Sequence, residues 1–272
     1  MKYVYGKNVF ITGGSSGIGL ATAQLLAANG YTVYAGSRNP ASVIRTFEGG
    51  GEIHPVFIDV RDNDSVEKAV RSIIKQADIG ILIHCAGIGI ACPGEEYPED
   101  AVNNLLNTNY HGVLRVNSHF LKHLRSRERS LCVIIGSVAG VIPIPYQSHY
   151  CASKAALDLY ARSLRTELRS FGVRVSLLMP GDTKTGFTGA RKYEVDKSSP
   201  FYEACIRATA VMERDEDTGY SPDTAAKAVF DLCRTKKPTA RKTVGFKYKF
   251  IVLMQRLLPD RVLEFLIGKM YL

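Results

Sequence analysis

The stretch TGGSSGIG occupies residues 12–19, between an apolar run at 9–11 and a helix-like segment at 20–28. Glycine reaches positive φ and has no Cβ, so a glycine-rich turn lets the backbone approach a phosphate closely. A helix beginning near Gly17 would add free N–H groups and the positive end of its dipole. The spacing G-x-x-x-G-x-G is looser than the G-x-G-x-x-G fingerprint, but its place between a strand and a helix predicts a dinucleotide site.

Short apolar runs rich in β-branched residues alternate along the chain with longer amphipathic segments. The runs are 8–12, 31–36, 52–58, 79–84, 131–137 and 173–179. This alternation is typical of βαβ units in a parallel sheet. We therefore predict one α/β domain over residues 1–272: a doubly wound parallel sheet with helices on both faces and a C-terminal helical extension. Ligands bind such sheets at the carboxyl ends of the strands.

The composition is that of an ordinary globular protein, with 46% hydrophobic and 22% charged residues among 272. The net charge of +9 is spread along the chain, so no nucleic-acid partner is expected. No signal-peptide pattern and no run of roughly 18 apolar residues occurs, which makes the cytoplasm the expected compartment. The six cysteines form no CxxC pair or zinc spacing, so we expect reduced thiols and no metal site. His119 and His123 are expected on a solvated helix face.

The last third of the chain differs from the rest. Residues 182–222 mix glycine, proline and charged residues without steady periodicity, which predicts a mobile substrate loop with short helices. An apolar and basic extension follows at about 240–272. Its residues 246–272 fit two arrangements: an amphipathic helix on a membrane surface, or a helical pair packed over the substrate cleft. The second is favoured, because Pro259 divides the segment into pieces of ordinary core-helix length.

The end of the second apolar run distinguishes NAD(H) from NADP(H). An acidic residue there binds the adenosine 2′-hydroxyl and repels a 2′-phosphate. This chain reads YAGSRN at 34–39, with Ser37 and Arg38 and no acid. Since a guanidinium meets a phosphate through two charge-assisted bonds, NADP(H) is favoured over NAD(H), and Ser15 and Ser16 offer further donors. The alternative for Arg38 is an ordinary surface arginine.

A second cluster combines Tyr150 and Lys154, at spacing Y-x-x-x-K, with Ser137 upstream. Apolar residues recur every three or four positions after Tyr150, so the pair shares one face of a helix. An ammonium beside a tyrosine stabilises its phenolate, and lowering a pKa near 10 by ~3 units corresponds to roughly 4 kcal/mol. Lys154, aided by an oxidised nicotinamide ring, is expected to supply that energy. Ser137 closes the strand LCVIIGS, where its hydroxyl can bind a substrate carbonyl.

Together these motifs resemble the classical short-chain dehydrogenase/reductase family over about residues 5–235, a family with the Rossmann fold. The matching motifs are TGGSSGIG, Asp59 in FIDV, CAG at 85–87, Asn109 in NTNYHG, Ser137 in IIGSVAG, YCASK at 150–154 and PGDTKT from Pro180. The resemblance implies reversible hydride transfer between a nicotinamide and a secondary alcohol or ketone.

The resemblance also implies a catalytic tetrad of Asn109, Ser137, Tyr150 and Lys154. Tyr150 would exchange a proton with the substrate oxygen, which Ser137 would orient. Lys154 would hold the nicotinamide ribose, and Asn109 would carry a water that links Lys154 to solvent. The implied cofactor contacts are Thr12, Gly13, Ser15, Ser16, Gly17, Ile18, Gly19, Ser37, Arg38, Asn39, Asp59, Val60, Cys85, Ala86, Gly87, Tyr150, Lys154, Pro180, Gly181, Thr183 and Thr185.

One position departs from the family pattern, which usually reads NAG where this chain has CAG. Cys85 therefore lacks the amide that ties neighbouring strands together, and a thiol is a weak donor and a poor acceptor. We expect a local packing change without loss of activity.

The candidate substrate-binding residues are mainly apolar, which fits a bulky lipophilic ligand. They are Ser137, Tyr150, Val141, Tyr146, His149 and Phe187, with Ile142 and Ile144 beside them. The segment TVYAGSRNP and the basic extension resemble the hydroxysteroid and retinol dehydrogenase branch, so a hydroxysteroid is the expected substrate. Retinoids and fatty acyl carbonyls are alternatives. His149 either binds a polar group of the substrate or, as favoured, is a wall histidine with its hydrogen bonds satisfied.

A different class of function is a sensor that binds a dinucleotide without turnover. It is disfavoured because the acid-base tyrosine and its lysine are both present. The family resemblance further implies a homodimer or homotetramer formed by the helices of Asn109 and Tyr150. The apolar side chains expected to support that interface are Leu105, Leu106, Leu114, Val116, Leu157, Leu164 and Leu168.

Overall fold

The computed structural model describes residues 3–40 and 44–272. Within those residues, eight strands form the central sheet and two short strands form a separate parallel pair. The sheet contains β1 (Asn8–Thr12), β2 (Thr32–Ser37), β3 (Arg45–Thr46), β4 (Glu52–Phe57), β5 (Ile79–His84), β7 (Ser130–Ile135), β8 (Val173–Met179) and β10 (Arg241–Thr243). The pair consists of β6 (Ile90–Ala91) and β9 (Lys192–Tyr193).

The central sheet has the strand order β10-β8-β7-β5-β1-β2-β4-β3 and is parallel except for the β3–β4 pair. The chain runs from β1 outward through β2 and β4, then crosses back to place β5 on the other side of β1. The point where the strand order reverses therefore lies between β1 and β5. Open α/β sheets bind their ligands at this point, beyond the carboxyl ends of the strands.

Helices cover both faces of the sheet, which confirms the predicted doubly wound α/β fold. The helices are α1 (Gly17–Ala28), α2 (Asn63–Gln76), α3 (Glu99–Leu106), α4 (Gly112–Arg125), α5 (Ser148–Glu167), α6 (Tyr202–Asp217), α7 (Pro222–Cys233), α8 (Phe246–Leu257) and α9 (Asp260–Tyr271). One core packs α1 and α7 against the sheet, and the other packs α2, α4 and α5 against the opposite face. The inner strands β1, β2, β5, β7 and β8 are buried on both faces, which explains why their sequences read as continuous apolar runs.

Three predicted strands, at 8–12, 79–84 and 173–179, have the observed bounds, and the other three shift by one or two residues. The shift matters at one place. β7 ends at Ile135, so Ser137 does not close the strand as expected but caps the 3₁₀ turn Val138–Gly140, accepting a hydrogen bond from the Ala139 N–H at 3.1 Å.

Residues 182–222 were expected to be a loop with short helices, but α6 gives them a 16-residue helix. The extension from about 240 also differs from a purely helical one, because β10 joins the edge of the central sheet beside β8. α8 and α9 then form the predicted helical pair, divided at Pro259. Among the described residues, no helix is both long and apolar enough to cross a bilayer.

The leucines expected at a subunit interface are largely unavailable for one. Leu105 and Val116 are fully buried within the protomer, and Leu157, Leu164 and Leu168 are no more than 7% exposed. Leu105 packs in a separate cluster with Ile90 and Val102, and the others pack in the core on one face of the sheet, because the apolar face of a helix is the face that covers the core.

His119 and His123 differ in their surroundings. His119 Nε2 lies 3.1 Å from Asn63 Oδ1, near solvent as expected. His123 is instead largely buried, and its Nε2 lies 3.1 Å from the carbonyl oxygen of Ile79. No cluster of three or more His, Cys, Asp or Glu side chains suited to a metal occurs in the described part of the chain.

Candidate active site

A cleft of about 490 Å³ opens beyond the carboxyl ends of the central strands. It brings together nearly all the cofactor and catalytic candidates. Those that line it are Gly13, Ser15, Ser16, Gly17, Ile18, Gly19, Ser37, Arg38, Asn39, Asp59, Val60, Cys85, Ala86, Gly87, Ser137, Tyr150, Lys154, Pro180, Gly181, Thr183 and Thr185. Two candidates do not line it. Thr12 is buried inside β1, where its carbonyl accepts a hydrogen bond from the Cys85 N–H at 3.0 Å, and Asn109 is fully buried.

The glycine turn fills the space between β1 and β5 without side chains. Gly13 has φ +71°, and a Cβ there would lie 2.7 Å from the Ala86 nitrogen. A Cβ on Gly19 would lie 2.1 Å from the Gly13 carbonyl oxygen. The turn therefore requires glycine at both positions, and α1 begins at Gly17 with its first N–H groups directed beyond the strand ends.

The end of β2 carries an unpaired polar atom. The Ser37 hydroxyl oxygen is buried and has no hydrogen-bond partner among the described residues. Arg38 is exposed beside it, at the rim of the same cleft. A buried hydroxyl without a partner costs free energy unless a ligand satisfies it, so this corner of the cleft is suited to a polar ligand group.

Asp59, on the opposite side of this corner, is already engaged. The Arg61 guanidinium donates to both of its carboxylate oxygens, from Nε at 3.0 and 3.2 Å and from Nη2 at 2.7 Å. These hydrogen bonds hold the pKa of Asp59 below its ordinary value. Arg61 Nη1 also donates to Asn104 Oδ1 at 3.0 Å, which fixes the rim of the cleft. Sequence reasoning missed Arg61 because no motif marks it.

Tyr150 lies in the first turns of α5, facing Ser137 across the cleft. Burial raises the pKa of Tyr150 above its ordinary value, and a hydrogen bond with the Ser137 hydroxyl lowers it in part. Lys154 Nζ is 5.6 Å from the centre of the Tyr150 ring. The lowering of the Tyr150 pKa expected from Lys154 is therefore not found, because burial raises this pKa instead.

Lys154 is 6% exposed and donates from Nζ to the carbonyl oxygen of Ile135 at 3.1 Å, at the end of β7. Burial lowers the pKa of Lys154 to about 8. Asn109 lies nearby, and a Cβ on Gly87 would be 3.4 Å from its Oδ1 and 3.8 Å from Lys154 Nζ. The Asn109 amide and the Lys154 amine therefore border the same small space beside Gly87.

Asn109 is fully buried in a π-helical turn, Asn107–His111, that joins α3 to α4. Its side chain binds the backbone of Ile88 twice: Oδ1 accepts from the N–H at 2.8 Å, and Nδ2 donates to the carbonyl at 2.9 Å. π-helical turns occur preferentially at functional sites, because the extra residue turns a side chain inward.

The thiol of Cys85 is buried, and burial raises its pKa to about 12. At this point β1 and β5 are joined by the backbone hydrogen bond from the Cys85 N–H to the Thr12 carbonyl. A chain of buried side-chain hydrogen bonds begins at the preceding residue, His84. In that chain His84 Nε2 lies 3.0 Å from Asn117 Oδ1, and Asn117 Nδ2 donates to the Tyr160 hydroxyl at 3.0 Å. These bonds link β5, α4 and α5 without a side-chain amide at position 85.

Of the predicted substrate contacts, Phe187 lines the cleft, with its ring centre 5.8 Å from that of Tyr150. Ile144 also lines it. Val141, Tyr146 and His149 do not line it, and Val141 packs against the core instead. The favoured reading of His149 is also wrong: its Nε2 is buried without a hydrogen-bond partner in the described chain, and its ring lies against Tyr97.

Much of the substrate wall comes from residues that sequence reasoning missed. Gln147, Met212 and Glu216 line the cleft, together with Tyr271 of the last helix. Met212 and Glu216 were missed because α6 was read as part of a loop. Tyr271 lies in the segment for which packing over the cleft was favoured, and its position supports that arrangement.

The Glu216 carboxylate accepts hydrogen bonds from two neighbouring side chains. Thr188 donates its hydroxyl to Oε2 at 2.6 Å, and Arg191 Nη2 donates to Oε1. The Arg191 side chain is 1% exposed, and its remaining Nε and Nη1 atoms have no hydrogen-bond partner in the described residues. The guanidinium also lies 6.0 Å from the Phe187 ring centre. One buried arginine thus positions two residues of the wall.

The model of the short chain dehydrogenase family matches residues 7–195, more than half of the chain. The chain belongs to the classical short-chain dehydrogenase/reductase family. Members of this family are oxidoreductases that act on CH–OH or carbonyl groups and bind a nicotinamide dinucleotide.

The dehydrogenase is similar to proteins with two different lipid substrates in their names. It is 33% identical to a 3-ketodihydrosphingosine reductase of Bacteroides thetaiotaomicron, covering 97% of each chain. It is 31% identical to 17-beta-hydroxysteroid dehydrogenase type 1 of Homo sapiens, over 93% of this chain and 81% of that one. A solved alcohol dehydrogenase of Thermococcus sibiricus, complexed with 5-hydroxy-NADP, is 26% identical with a TM-score of 0.69, covering 88% and 94%.

The residues of this dehydrogenase fit a nicotinamide dinucleotide. The Cβ-free cradle at Gly13 and Gly19 accepts a backbone-bound pyrophosphate, and the unpaired Ser37 hydroxyl offers a hydrogen bond at the other end. Lys154, Thr185 and Tyr150 line the same cleft.

The Gly19→Ala dehydrogenase is expected to lose at least about tenfold in dinucleotide affinity, since the new methyl group would displace the Gly13 carbonyl and reshape the turn. Titration calorimetry measures the affinity, and circular dichroism checks the fold. Gly189→Ala is the matched control, because a Cβ there meets no atom within 4 Å. Unchanged affinity in Gly19→Ala would show that the turn does not hold the dinucleotide.

The buried Lys154 should make stability depend on pH. Its pKa is about 8 in the folded chain and 10.5 when solvated, so between these values the unfolded chain binds more protons and stability rises with pH. Urea unfolding from pH 8 to 10.5 should show wild type gaining up to about 3 kcal/mol relative to Lys154→Met. The exposed-lysine control Lys68→Met should match wild type, and equal slopes in all three would contradict the assignment.

Proposed function

We propose that the protein is an NADP(H)-dependent oxidoreductase that reversibly transfers hydride between the nicotinamide and a secondary alcohol or ketone of a lipophilic substrate. The observation that carries the proposal is that Ser137, Tyr150 and Lys154 line the cleft that also holds the glycine turn, with Asn109 buried nearby. These side chains come from three separate segments, and packing alone gives no reason for them to meet. A sensor without turnover is the less favoured alternative for the same reason.

Tyr150 is the proposed acid and base, and Ser137 orients the substrate oxygen. The bond between their hydroxyls supports both roles, because it lowers the Tyr150 pKa against the effect of burial. Lys154 binds the nicotinamide ribose and stabilises the phenolate, and Asn109 holds a water for proton exchange with Lys154. When bound, the dinucleotide supplies or accepts the hydride and, in its oxidised form, adds positive charge to the cleft.

For the remaining cofactor contacts, Asp59 and Val60 are proposed at the adenine, since both line the far end of the cleft. The backbone of residues 85–87 runs along its floor. Residues 180–185 are proposed to hold the nicotinamide amide, because Pro180, Gly181, Thr183 and Thr185 line the cleft on the side of Tyr150.

NADP(H) is proposed rather than NAD(H) because of two neighbouring side chains. The Ser37 hydroxyl lacks a protein partner, and the adjacent Arg38 adds a positive charge at the cleft rim. Asp59 adds no free negative charge there, because Arg61 neutralises it. The 26% identical alcohol dehydrogenase complexed with 5-hydroxy-NADP supports the same preference.

The substrate is proposed to be a hydroxysteroid or a long-chain keto lipid. Similarity to 17-beta-hydroxysteroid dehydrogenase type 1 supports the first. Similarity to 3-ketodihydrosphingosine reductase over 97% of both chains supports the second. The Glu216 carboxylate in the cleft wall does not separate the two, because Arg191 neutralises it. Retinoids and other fatty acyl carbonyls remain in the test panel.

The protein is proposed to work in the cytoplasm as a homodimer or homotetramer. All six cysteines are free thiols, which fits a reducing compartment. Leu159 of α5 is 64% exposed and is a better interface candidate than the buried leucines of the same helix.

Turnover tests the proposed chemistry. Loss of NADPH is followed with 3-ketodihydrosphingosine, a ketosteroid panel and retinal. At least one ketone should be reduced, and Tyr150→Phe should lower kcat at least about a hundredfold by removing the proton donor. Tyr202→Phe, which removes a hydroxyl outside the cleft, should keep the wild-type rate. If no ketone of the panel is reduced, or if Tyr150→Phe keeps full activity, the proposal is wrong.

The cofactor preference has its own test. Arg38→Leu should weaken NADPH binding about 10- to 100-fold and leave NADH binding nearly unchanged, because only the 2′-phosphate loses its cation. Calorimetric affinities for both cofactors give the ratio, with Arg169→Leu as an exposed-arginine control. An equal loss for NADH and NADPH would contradict the assignment of Arg38 to the phosphate.

A further inference from the structure

The C-terminal pair, α8 and α9, carries most of the exposed apolar surface of the described chain. Nine of the sixteen large apolar side chains exposed there lie in residues 246–272, about a tenth of the sequence. Phe246 is 83% exposed and Leu257 is 67% exposed. Single exposed apolar residues are normal, but a contiguous concentration of this kind marks an interaction surface.

On α8 the exposed residues form a narrow stripe. Phe246, Phe250, Leu253 and Leu257 follow at spacings of four, three and four, so at 100° per residue they span only about 60° of the helix surface. The opposite side of the helix is the one that packs on the protein, through the buried Tyr248. The stripe is therefore the outward face of α8.

On α9 the arrangement repeats. Leu263 and Ile267 are buried, while Phe265 points to the opposite side of the helix and is 62% exposed, and Val262 and Leu266, between the two sides, are 42% and 51% exposed. Both helices thus expose apolar residues away from their packed sides, and we call these residues together the C-terminal apolar surface. It comprises Phe246, Phe250, Leu253, Leu257, Val262, Phe265, Leu266, Met270 and Leu272.

Basic side chains flank this surface. Lys247, Lys249 and Arg256 are exposed on α8, and Arg261 and Lys269 are exposed on α9. Residues 246–272 contain only two acidic side chains against these five. A symmetric contact between two copies would set these cations against one another, whereas an anionic lipid surface would neutralise them.

We propose that the C-terminal apolar surface docks on an anionic phospholipid bilayer. Because neither helix can span it, the pair lies in the interface plane, with the stripe in the headgroup and acyl boundary and the lysines at the phosphates. Tyr271 of the same pair lines the catalytic cleft. Docking therefore brings the cleft beside the bilayer in which a lipophilic substrate is dissolved.

Flotation of the full chain with lipid vesicles tests the docking. No substrate or cofactor is added, so the result is independent of the proposed catalysis. The chain should float with phosphatidylcholine vesicles containing phosphatidylglycerol, and at least about tenfold less with phosphatidylcholine alone. Phe246→Ser/Phe250→Ser and Lys247→Glu/Lys249→Glu should each lower partitioning at least about tenfold. Lys68→Glu/Lys75→Glu, exposed on α2, and Phe57→Ser are the matched controls and should behave as wild type.

The chain contains no tryptophan, so a single introduced one reports on the surface. Phe250→Trp should show a blue-shifted emission with anionic vesicles and quenching by brominated lipid. Phe57→Trp, at a residue 61% exposed against 56% for Phe250, should show neither. Absence of flotation by wild type, or equal responses at the two positions, would overturn the proposal. The proposal would also be overturned if wild type did not float and the sedimenting mass of Phe246→Ser/Phe250→Ser were lower than that of wild type. That result would assign the surface to contact between copies of the chain.

Discussion

The close approach of three backbone segments at one point governs the architecture of the site. The end of β1, the end of β5 and the start of α1 meet at Gly13 and Gly19, where no side chain fits. This contact sets the spacing of the two strands that flank the switch point. The same contact holds the glycine turn beside residues 85–87, which line the cleft, because the Cys85 N–H is bonded to the last residue of β1.

The sequence was informative wherever chemistry or periodicity restricts the choice of residue. Strands buried on both faces must be apolar throughout, so three of them could be located to the residue. Tyr150 and Lys154 were found because their chemistry demands a fixed spacing on one helix. Ser37 and Arg38 were chosen because an acidic residue at the end of β2 would repel a 2′-phosphate, and both line the cleft. Only Thr12 among the cofactor candidates lies outside the cleft, since the turn begins one residue after it.

The substrate side was harder to predict, because its residues come from segments far apart in sequence and linked by side chains. Arg191 joins Phe187 to Glu216, and nothing near any of the three signals that contact. The apolar repeats of the helices were read correctly but assigned to the wrong neighbour: Leu157 and Leu164 cover the sheet rather than a second subunit. Periodicity identifies an apolar face, but it does not say what the face packs against.

The contact between Gly181 and Tyr248 joins two parts of the molecule that have so far been described separately. A Cβ at position 181 would lie 2.3 Å from the Tyr248 ring, whose hydroxyl donates to the Asp182 carboxylate. The Tyr248 ring occupies the space that a side chain at position 181 would need, and its hydroxyl is hydrogen-bonded to Asp182. These two contacts attach α8 to the loop after β8. The helix is therefore joined directly to that loop, and a displacement of α8 would also displace the backbone of Gly181, which lines the cleft.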